Sequence, residues 1–381
     1  MIKRLIVLRM SSSSSNKNWF KALYGFNEID DNGANMVKTS MRIENDHLVS
    51  NVNGRSFQIG TFSTTSLLQL KEQVSKVIDV SSSSSSSSSS GSSSSSDLVR
   101  LPIKYQHIVT GDIFKLHHKY PDALFQAASQ FNCLEFATPS AVPEDGIYIY
   151  TYDRTQGPAC AISCASGTIY RNYFYNGGQS ANKQLNTLHN LEQLLFDDDN
   201  HYWNIRNGYT YSDQDSLEKL NRKIEQCDKS QLRDSVQIGI HKRVGVMFSD
   251  RFTDIADQNV NVTQAYCSAI SCAYCPSVRD INAWEPLATL ILEAAYEATI
   301  LSGILNRVEL KTDGSKVIFL TLLGGGVFGN KDEWICRGIG RALAIAEKLQ
   351  QDIQVNICHY SAINDNIVKL IQKFYEEEII A

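Results

Sequence analysis

The chain has 381 residues, of which 43% are hydrophobic and 20% are charged, as in an ordinary soluble globular protein. Its formal net charge of -5 provides no general basic field, so neither nucleic acid nor a membrane surface is expected as a partner. No uninterrupted apolar run reaches the roughly 18 to 20 residues of a membrane span, and the first apolar stretch is too short for a secretory signal. The nine scattered cysteines are typical of reduced, buried thiols, and we expect a cytoplasmic or nuclear protein.

Two serine tracts divide the chain. The first covers residues 11–15 and the second covers residues 81–96, interrupted only by Gly91. Serine tracts contain nothing that can be buried and are typical of disordered segments. They predict a disordered N terminus (1–15), a small α+β segment (16–80), a disordered linker (81–96) and a main domain (97–381).

The small N-terminal segment has the pattern of an α+β unit. NWFKALYGFNE has mostly helical apolar spacing, and HLVSNVNGRSFQIGTF alternates like two strands joined through Asn53-Gly54. SLLQLKEQVSKVI then predicts an amphipathic helix that begins at Ser66. Because about sixty residues make a thin core, we expect this segment to dock on the main domain.

Strand and helix patterns alternate after the second tract. YQHIVTGDIF, GIYIYTYD, VNVTQAYCSAI, KVIFLTLLG and DIQVNICHY predict strands, and PDALFQAASQFNCLEF is helical or strand-to-helix. Helices are predicted within ACAISCASGTIYRNYF, WEPLATLILEAAYEATILSGILN, DEWICRGIGRALAIAEKL and NDNIVKLIQKFYEE. This alternation predicts an α/β fold with a largely parallel or mixed sheet and helices on both faces. Ligands of such sheets bind at the carboxyl ends of the strands.

The stretch LTLLGGGVFGNKDEWI, residues 320–335, places four glycines between a predicted strand and a predicted helix. Backbone N–H groups in such a loop, with a helix N terminus behind them, suit a phosphate or diphosphate. No Lys-Ser/Thr pair follows the glycines, and their spacing is not that of the dinucleotide fingerprint. The alternative is a tight turn chosen for packing, and the sequence leaves both interpretations open.

Four motifs in order resemble those of the macrodomains, the ADP-ribose-binding fold. IVTGDIF resembles the motif of the family's first strand, and ALFQAASQFN resembles its Asn-Ala-Ala-Asn turn, with Gln126 and Ser129 where asparagines are usual. TQGPACAI and GGGVFGN resemble the two phosphate loops. The resemblance covers roughly residues 100–360, with an insertion at about 176–235. It implies a three-layer α/β/α domain with a mixed, mostly parallel sheet.

The resemblance also implies a binding site for ADP-ribose. Adenine would lie near the residues of the first motif, and the diphosphate would lie between the two loops. The implied ligand-binding residues are Asp112, Ile113, Asn132, Gln156, Gly157, Pro158, Ala159, Gly324, Gly325, Gly326, Val327, Phe328, Gly329 and Asn330.

A closer resemblance is to a divergent branch of ADP-ribosylhydrolases, related to bacterial effector macrodomains and to poly(ADP-ribose) glycohydrolase-like macrodomains. This chain departs from their catalytic patterns. Ala159 stands where macrodomains that hydrolyse ester-linked ADP-ribose have an Asp, and no Glu-Glu pair occurs near Gly157. The family's usual catalytic carboxylate therefore has no counterpart here.

Other acids near the loops are candidates for the chemistry. Cleavage at an anomeric carbon passes through an oxocarbenium-like state that a carboxylate stabilises while it positions water. Asp153, at the end of the predicted IYIYTY strand, is the best placed, and Asp145 precedes the same strand. A loop cap and an ordinary Asp-Gly turn are their structural alternatives. Glu135 and the pair Asp332-Glu333 are weaker candidates, and the pair fits the first turn of a helix.

Two functions follow from these patterns. The first is an ADP-ribosylhydrolase that removes ADP-ribose from a modified protein side chain, with arginine as a candidate linkage, and that needs neither metal nor cofactor. The second is a reader that binds ADP-ribose or an ADP-ribosylated protein without cleaving it. A third, weaker interpretation is an interaction protein with a vestigial macrodomain. Cys272 and Cys275 have zinc-like spacing without a second pair, and the 17 tyrosines are too dispersed to predict a stacking surface.

Overall fold

The computed structural model describes residues 18–85, 102–252, 254–255 and 260–380. The predicted disordered N terminus and most of the long serine tract lie outside these residues. The helices are α1 (Trp19–Tyr24), α2 (Val37–Ser40), α3 (Leu67–Ser85), α4 (Ile113–Lys119), α5 (Gln156–Ser163), α6 (Ala165–Ile169), α7 (His189–Leu195), α8 (Gln214–Gln226), α9 (Lys229–Ser235), α10 (Glu285–Leu310), α11 (Asp332–Leu349) and α12 (Asp365–Ile380).

Fourteen strands accompany these helices in the described part of the chain. They are β1 (Met41–Glu44), β2 (His47–Ser50), β3 (Ser56–Gln58), β4 (Thr61–Ser66), β5 (Lys104–Val109), β6 (Leu124–Ala128), β7 (Asn204–Arg206), β8 (Tyr209–Tyr211), β9 (Gln237–Gly245), β10 (Phe248–Asp250), β11 (Asp254–Ile255), β12 (Asn261–Cys267), β13 (Val317–Thr321) and β14 (Gln354–His359).

Seven of the strands form one central sheet in the order β4-β9-β12-β6-β13-β14-β5. The four pairings from β12 to β5 are parallel, and the pairings of β9 with β4 and with β12 are antiparallel. Both faces of the central strands β13 and β14 are covered, and β13 is accordingly an almost continuous apolar run, whereas β14 also buries Asn356 and His359. The predicted α/β fold with a mixed, mostly parallel sheet is confirmed.

Helices cover both faces of this sheet, which makes three layers. One apolar core lies between the sheet and α3, α10, α11 and α12, and includes Leu70, Ile304 and Leu343. The other core lies under α4 and α5 and includes Phe114 and Ile162. The continuous helical stretch Ile281–Leu310 is long and apolar enough to cross a membrane, but 89% of its most apolar window is buried inside the protein.

The N-terminal segment adds an edge strand to the central sheet and a helix to one of the helical layers that cover it. β2 and β3 form the predicted hairpin around Asn53-Gly54, and Ser66 caps α3 by accepting a hydrogen bond from the Gln69 N–H. β4 is an edge strand of the central sheet, paired with β9. α3 packs on α10 and continues through Ser85, five residues into the serine tract.

Three stretches of the main domain differ from the sequence prediction. The helix predicted within PDALFQAASQFNCLEF is wrong, because the strand β6 is followed by turns and irregular backbone over residues 129–136. The strand predicted in GIYIYTYD is wrong, because Tyr148–Tyr152 is a 3-10 helix. The buried hydrophobic residues of this stretch, Ile147 and Tyr150, are three positions apart, which is helical spacing. The N–H groups of Ile147 and Tyr148 donate to the side chain of Glu28 instead of to a neighbouring strand. The long strand β9 was missed, since its sequence QIGIHKRVG carries charges within an otherwise apolar run.

Candidate active site

The candidate site lies at the carboxyl ends of β6, β12 and β13. β6 and β13 pair only through two residue pairs, Leu124 with Ile318 and Phe125 with Phe319. Beyond them the strands separate, and the side chain of Gln126 accepts the Thr321 N–H at 3.2 Å. A crevice at this edge is where an open α/β sheet binds its ligands.

The first predicted phosphate loop, TQGPACAI (residues 155–162), is mostly the helix α5, whose start is attached to the end of β6. The amide of Gln156 accepts the Ala128 N–H at 2.9 Å and donates to the Gln126 carbonyl at 2.7 Å. A Cβ on Gly157 would lie 1.8 Å from the Ala128 carbonyl oxygen. Pro158 and Ala159, which follow in α5, are buried. These contacts explain Gln156 and Gly157 by the close packing of α5 on β6, with no ligand required.

The second loop, residues 324–330, has an exposed middle and a fixed base. Gly324 and Gly329 adopt φ values of +72° and +74°, which favour glycine. Asn330 donates from its side chain to the Ile270 carbonyl at 2.7 Å and from its backbone to the Gly324 carbonyl at 3.0 Å. These bonds attach the loop to the segment that follows β12.

Three consecutive N–H groups in the middle of this loop are free. Those of Gly326, Val327 and Phe328 have no hydrogen-bond partner among the residues that the structure describes. Gly325, Gly326 and Val327 are exposed. Adjacent free backbone N–H groups in a glycine loop are suited to binding an anion.

An aromatic cluster connects the second loop to its surroundings. The ring centroid of Tyr209 lies 5.4 Å from that of Phe328 and 5.1 Å from that of Tyr274, and Tyr274 and Phe328 are 5.9 Å apart. Tyr209 comes from β8 in the insertion, and Tyr274 follows β12. Three separate segments converge here, but the rings meet edge-on or tilted and Tyr209 is buried, so they form a packed cluster and not an open stacking surface.

Asp153 lies within electrostatic range of two rings of this cluster, Tyr209 and Tyr274. Its Oδ1 accepts from the N–H and the hydroxyl of Thr155, at 2.8 and 2.6 Å, which is the loop cap expected as its structural alternative. Its Oδ2 has no hydrogen-bond partner in the described ranges. Burial raises the pKa of Tyr209 and of Tyr274, and the Asp153 carboxylate contributes to both rises. Asp153 thus precedes the first loop and lies within electrostatic range of two tyrosines that pack against Phe328 of the second loop.

Asp145 is placed differently. It is exposed, and its Oδ2 accepts the Val142 N–H at 2.9 Å within a 3-10 turn. Within the described residues no hydrogen bond or ion pair joins Asp145 to Asp153 or to either loop. The structure does not bring the two predicted acids together, and a catalytic role for either stays a prediction.

The two residues predicted near adenine, and the predicted ligand-binding residue Asn132, are in contact with the protein itself. Asp112 caps α4 by accepting the Phe114 N–H at 3.1 Å, and it pairs with Arg251, whose Nε lies 3.0 Å from Oδ2. Ile113 is buried in the core. The buried Asn132 donates to the Gln184 side chain at 2.8 Å. A ligand at these positions would have to share or replace the existing bonds.

The candidate acid Glu135 lies in a buried ion pair beneath the first loop. Its Oε2 is 3.2 Å from Nη2 of Arg171, and both side chains are fully buried. The Arg171 guanidinium also lies 3.6 Å from the ring centroid of Tyr266. Burial raises the pKa of the Glu135 carboxyl, and the Arg171 charge opposes this rise. Because Glu135 has no exposed atom to offer a substrate, we assign the pair to the support of the loop.

The described residues contain no group of three His, Cys, Asp or Glu side chains that could hold a metal ion. All nine cysteines are free thiols. Cys272 and Cys275 are buried in the core, and the Cys275 thiol donates to the Thr210 carbonyl at 3.2 Å.

Comparison with known proteins gave structural matches only. No family model and no curated protein matches the sequence. The chain is similar to the structure of poly(ADP-ribose) glycohydrolase from Deinococcus radiodurans in complex with ADP-ribose, with 10% identity, 84% of this chain and 95% of that chain covered, and a TM-score of 0.38. It is similarly related to the enzyme from Thermomonospora curvata, with 10% identity, 89% and 95% coverage and a TM-score of 0.39. These TM-scores are too low to support a functional argument, which therefore depends on the geometry of the site.

Proposed function

We propose that this protein binds ADP-ribose at the carboxyl edge of its sheet and hydrolyses the bond that joins it to a modified protein side chain. Three features near the carboxyl ends of the central strands support the proposal, and the first of them, the row of free N–H groups, carries it. They are the free N–H groups of the second loop, the Tyr209–Tyr274–Phe328 cluster and the unbonded Oδ2 of Asp153. This arrangement supports a site in which the N–H groups bind an anionic part of the ligand, an aromatic ring covers an apolar part, and a carboxylate acts on the bond to be cleaved.

Each feature has a chemical role in this proposal. The free N–H groups of Gly326, Val327 and Phe328 would bind diphosphate oxygens, since preorganised backbone donors stabilise an oxyanion. The ring of Phe328 would cover the ribose. The Asp153 Oδ2 would hold the attacking water and stabilise positive charge at the anomeric carbon. Arginine is the first linkage to test, and a cytoplasmic or nuclear location stays a prediction.

A second candidate function is a reader that binds ADP-ribose without cleaving it. Ala159, at the position where related hydrolases carry an Asp, is buried in α5 and offers no carboxylate. Glu135, the nearest buried acid, is already paired with Arg171. If Asp153 serves only to cap its loop, the site retains its anion-binding groups and lacks a catalytic acid.

The binding half of the proposal is tested by calorimetry with ADP-ribose on Gly326→Glu and Gly326→Gln. A Cβ at Gly326 would meet no heavy atom within 4 Å, so both variants are expected to fold. The glutamate adds a negative charge beside the free N–H groups, whereas the glutamine adds equal bulk without charge. We expect the glutamate to weaken binding at least tenfold more than the glutamine does. Equal effects would contradict an anion site at this loop.

The catalytic half is tested by the release of ADP-ribose from an arginine-ADP-ribosylated peptide. Asp153→Asn should retain binding and lose at least a hundredfold in rate, within the range expected for a positioned acid or base. Asp228→Asn is the matched control, because Asp228 caps the Ser230 N–H at 2.8 Å in the same local geometry on α9. Asp145→Asn is measured in parallel. Binding by the wild type without release from this or an ester-linked peptide would favour the reader.

A further inference from the structure

Glu28 is a buried acid from the N-terminal segment that contacts the segment leading to Asp153. Its Oε1 accepts the Ile147 N–H at 2.9 Å and the Tyr173 hydroxyl at 2.7 Å, and its Oε2 accepts the Tyr148 N–H at 2.7 Å. Only 3% of the residue is exposed. A buried carboxylate is costly unless it is hydrogen-bonded, so these three donors are what allow Glu28 to lie there.

The backbone at Gly146 is fitted to this carboxylate. A Cβ on Gly146 would lie 2.7 Å from Cδ and Oε2 of Glu28, and the residue has a φ of +81°. Both the conformation and the close approach therefore require glycine. The segment before the first loop is thus folded around a side chain that comes from 119 residues earlier in the chain.

Trp19 holds the other end of the same segment. Its Nε1–H donates to the Thr151 hydroxyl at 2.6 Å, and its ring stacks on Tyr148 with centroids 5.8 Å apart. The 3-10 helix between these two contacts ends at Asp153, whose N–H donates to the Tyr150 carbonyl at 3.1 Å. Glu28 therefore fixes the start of this short helix, and Trp19 fixes its last turn.

We infer that the N-terminal segment positions the candidate catalytic acid: Glu28 and Trp19 are positioning residues for Asp153. This inference depends on the proposed function for its catalytic consequence. Among the described residues, neither side chain bonds to Asp153, to the second loop or to the aromatic cluster, and each acts through the 3-10 helix. Loss of either contact frees the helix to move and displaces the Asp153 carboxylate from the aromatic cluster, while the second loop and its N–H groups stay in place.

The test uses Glu28→Gln in the full chain, with Glu44→Gln as the matched control. Glutamine keeps the size of the side chain but replaces one acceptor oxygen with an NH₂ group, which faces an N–H donor. Glu44 is an exposed glutamate of the same segment and pairs with Arg42 at the surface. Hydrogen exchange of peptides that cover residues 143–155 is measured by mass spectrometry. We expect exchange there to become at least tenfold faster in Glu28→Gln and to be unchanged in Glu44→Gln.

Kinetics on the arginine-ADP-ribosylated peptide give the second readout. Glu28→Gln should lower kcat at least tenfold and change KM less than threefold. Trp19→Phe, which removes the indole donor and part of the ring that stacks on Tyr148, should act in the same direction. In an Asp153→Asn background, Glu28→Gln should cause no further loss, because it acts through Asp153. An equal loss in both backgrounds, or unchanged exchange over residues 143–155, would overturn the inference. If the wild type releases no ADP-ribose, the proposed function fails, and the exchange measurement alone still decides whether Glu28 holds this segment.

Discussion

The addition of a single methyl group should have opposite consequences for stability in the two glycine loops. In the first loop, the Cβ of Gly157→Ala would lie 1.8 Å from the backbone carbonyl oxygen of Ala128. An ordinary contact at this position needs about 3.4 Å, so α5 has to move away from β6 by more than 1 Å. No side-chain rotation relieves the overlap, because the obstacle is backbone. In the second loop, a Cβ on Gly326 would meet nothing within 4 Å.

We expect Gly157→Ala to reduce the free energy of unfolding by about 3 kcal/mol, at the upper end of the range for overpacking. Gly326→Ala should stay within about 0.5 kcal/mol of the wild type, as for other exposed substitutions. For a chain of 381 residues the first change corresponds to a fall of about 4 °C in Tm. Thermal and urea unfolding, followed by circular dichroism, measure both variants. Equal stability of the two would refute the assignment of Gly157 to packing.

Three further predictions concern the core and the site. Burial lowers the pKa of His117 to about 4. Because the imidazole of the unfolded chain titrates near pH 6.5, the free energy of unfolding falls as the pH is lowered below that value. Between pH 8 and pH 5 the wild type should lose about 2 kcal/mol more than His117→Gln, measured by urea unfolding at each pH. Arg171→Met should cost about 3 to 5 kcal/mol because it leaves the buried Glu135 carboxyl unpaired, whereas adding Glu135→Leu should recover most of this loss in the same unfolding assay. Phe328→Ala should weaken ADP-ribose binding at least tenfold by calorimetry without changing Tm by more than a few degrees, and unaltered affinity would remove Phe328 from the site.

Local patterns predicted the elements that bury a continuous or periodic apolar face. β13 and α11 follow one another where VIFLT and DEWICRGIGRALAIAEKL predicted them, because burial on both faces or on one helical face leaves a direct trace in the sequence. The residues around Tyr148 were misassigned for the opposite reason. Their alternation of Tyr and Ile fits a strand, but the groups that fix their backbone belong to Glu28, far away in the chain.

The candidate site was predicted only in part, because local patterns reveal some of its residues and the others are brought together by packing. The second glycine loop and Asp153 could be identified from spacing, since each stands beside an element with its own local pattern. Tyr209 and Tyr274 could not, because each belongs to a different segment and only the packing of β8 beside the loop after β12 brings their rings together. The signal that was available was the Asn207-Gly208 turn, which predicts a tight hairpin and places Tyr209 immediately after it.

The case for a ligand narrows to one glycine of the second loop. Gly324 and Gly329 need their positive φ values, and a Cβ on Gly325 would approach Ile335 to 3.1 Å, so local structure explains these three. Gly326 has neither a left-handed φ nor a neighbour that a methyl group would meet. A glycine that neither conformation nor packing requires lowers stability through its larger loss of backbone entropy on folding, and within the described residues no close contact that only glycine permits offsets this loss. The close approach of an anion would explain a glycine here, because the N–H groups of Gly326 and of the two residues that follow it are free within the described part of the chain.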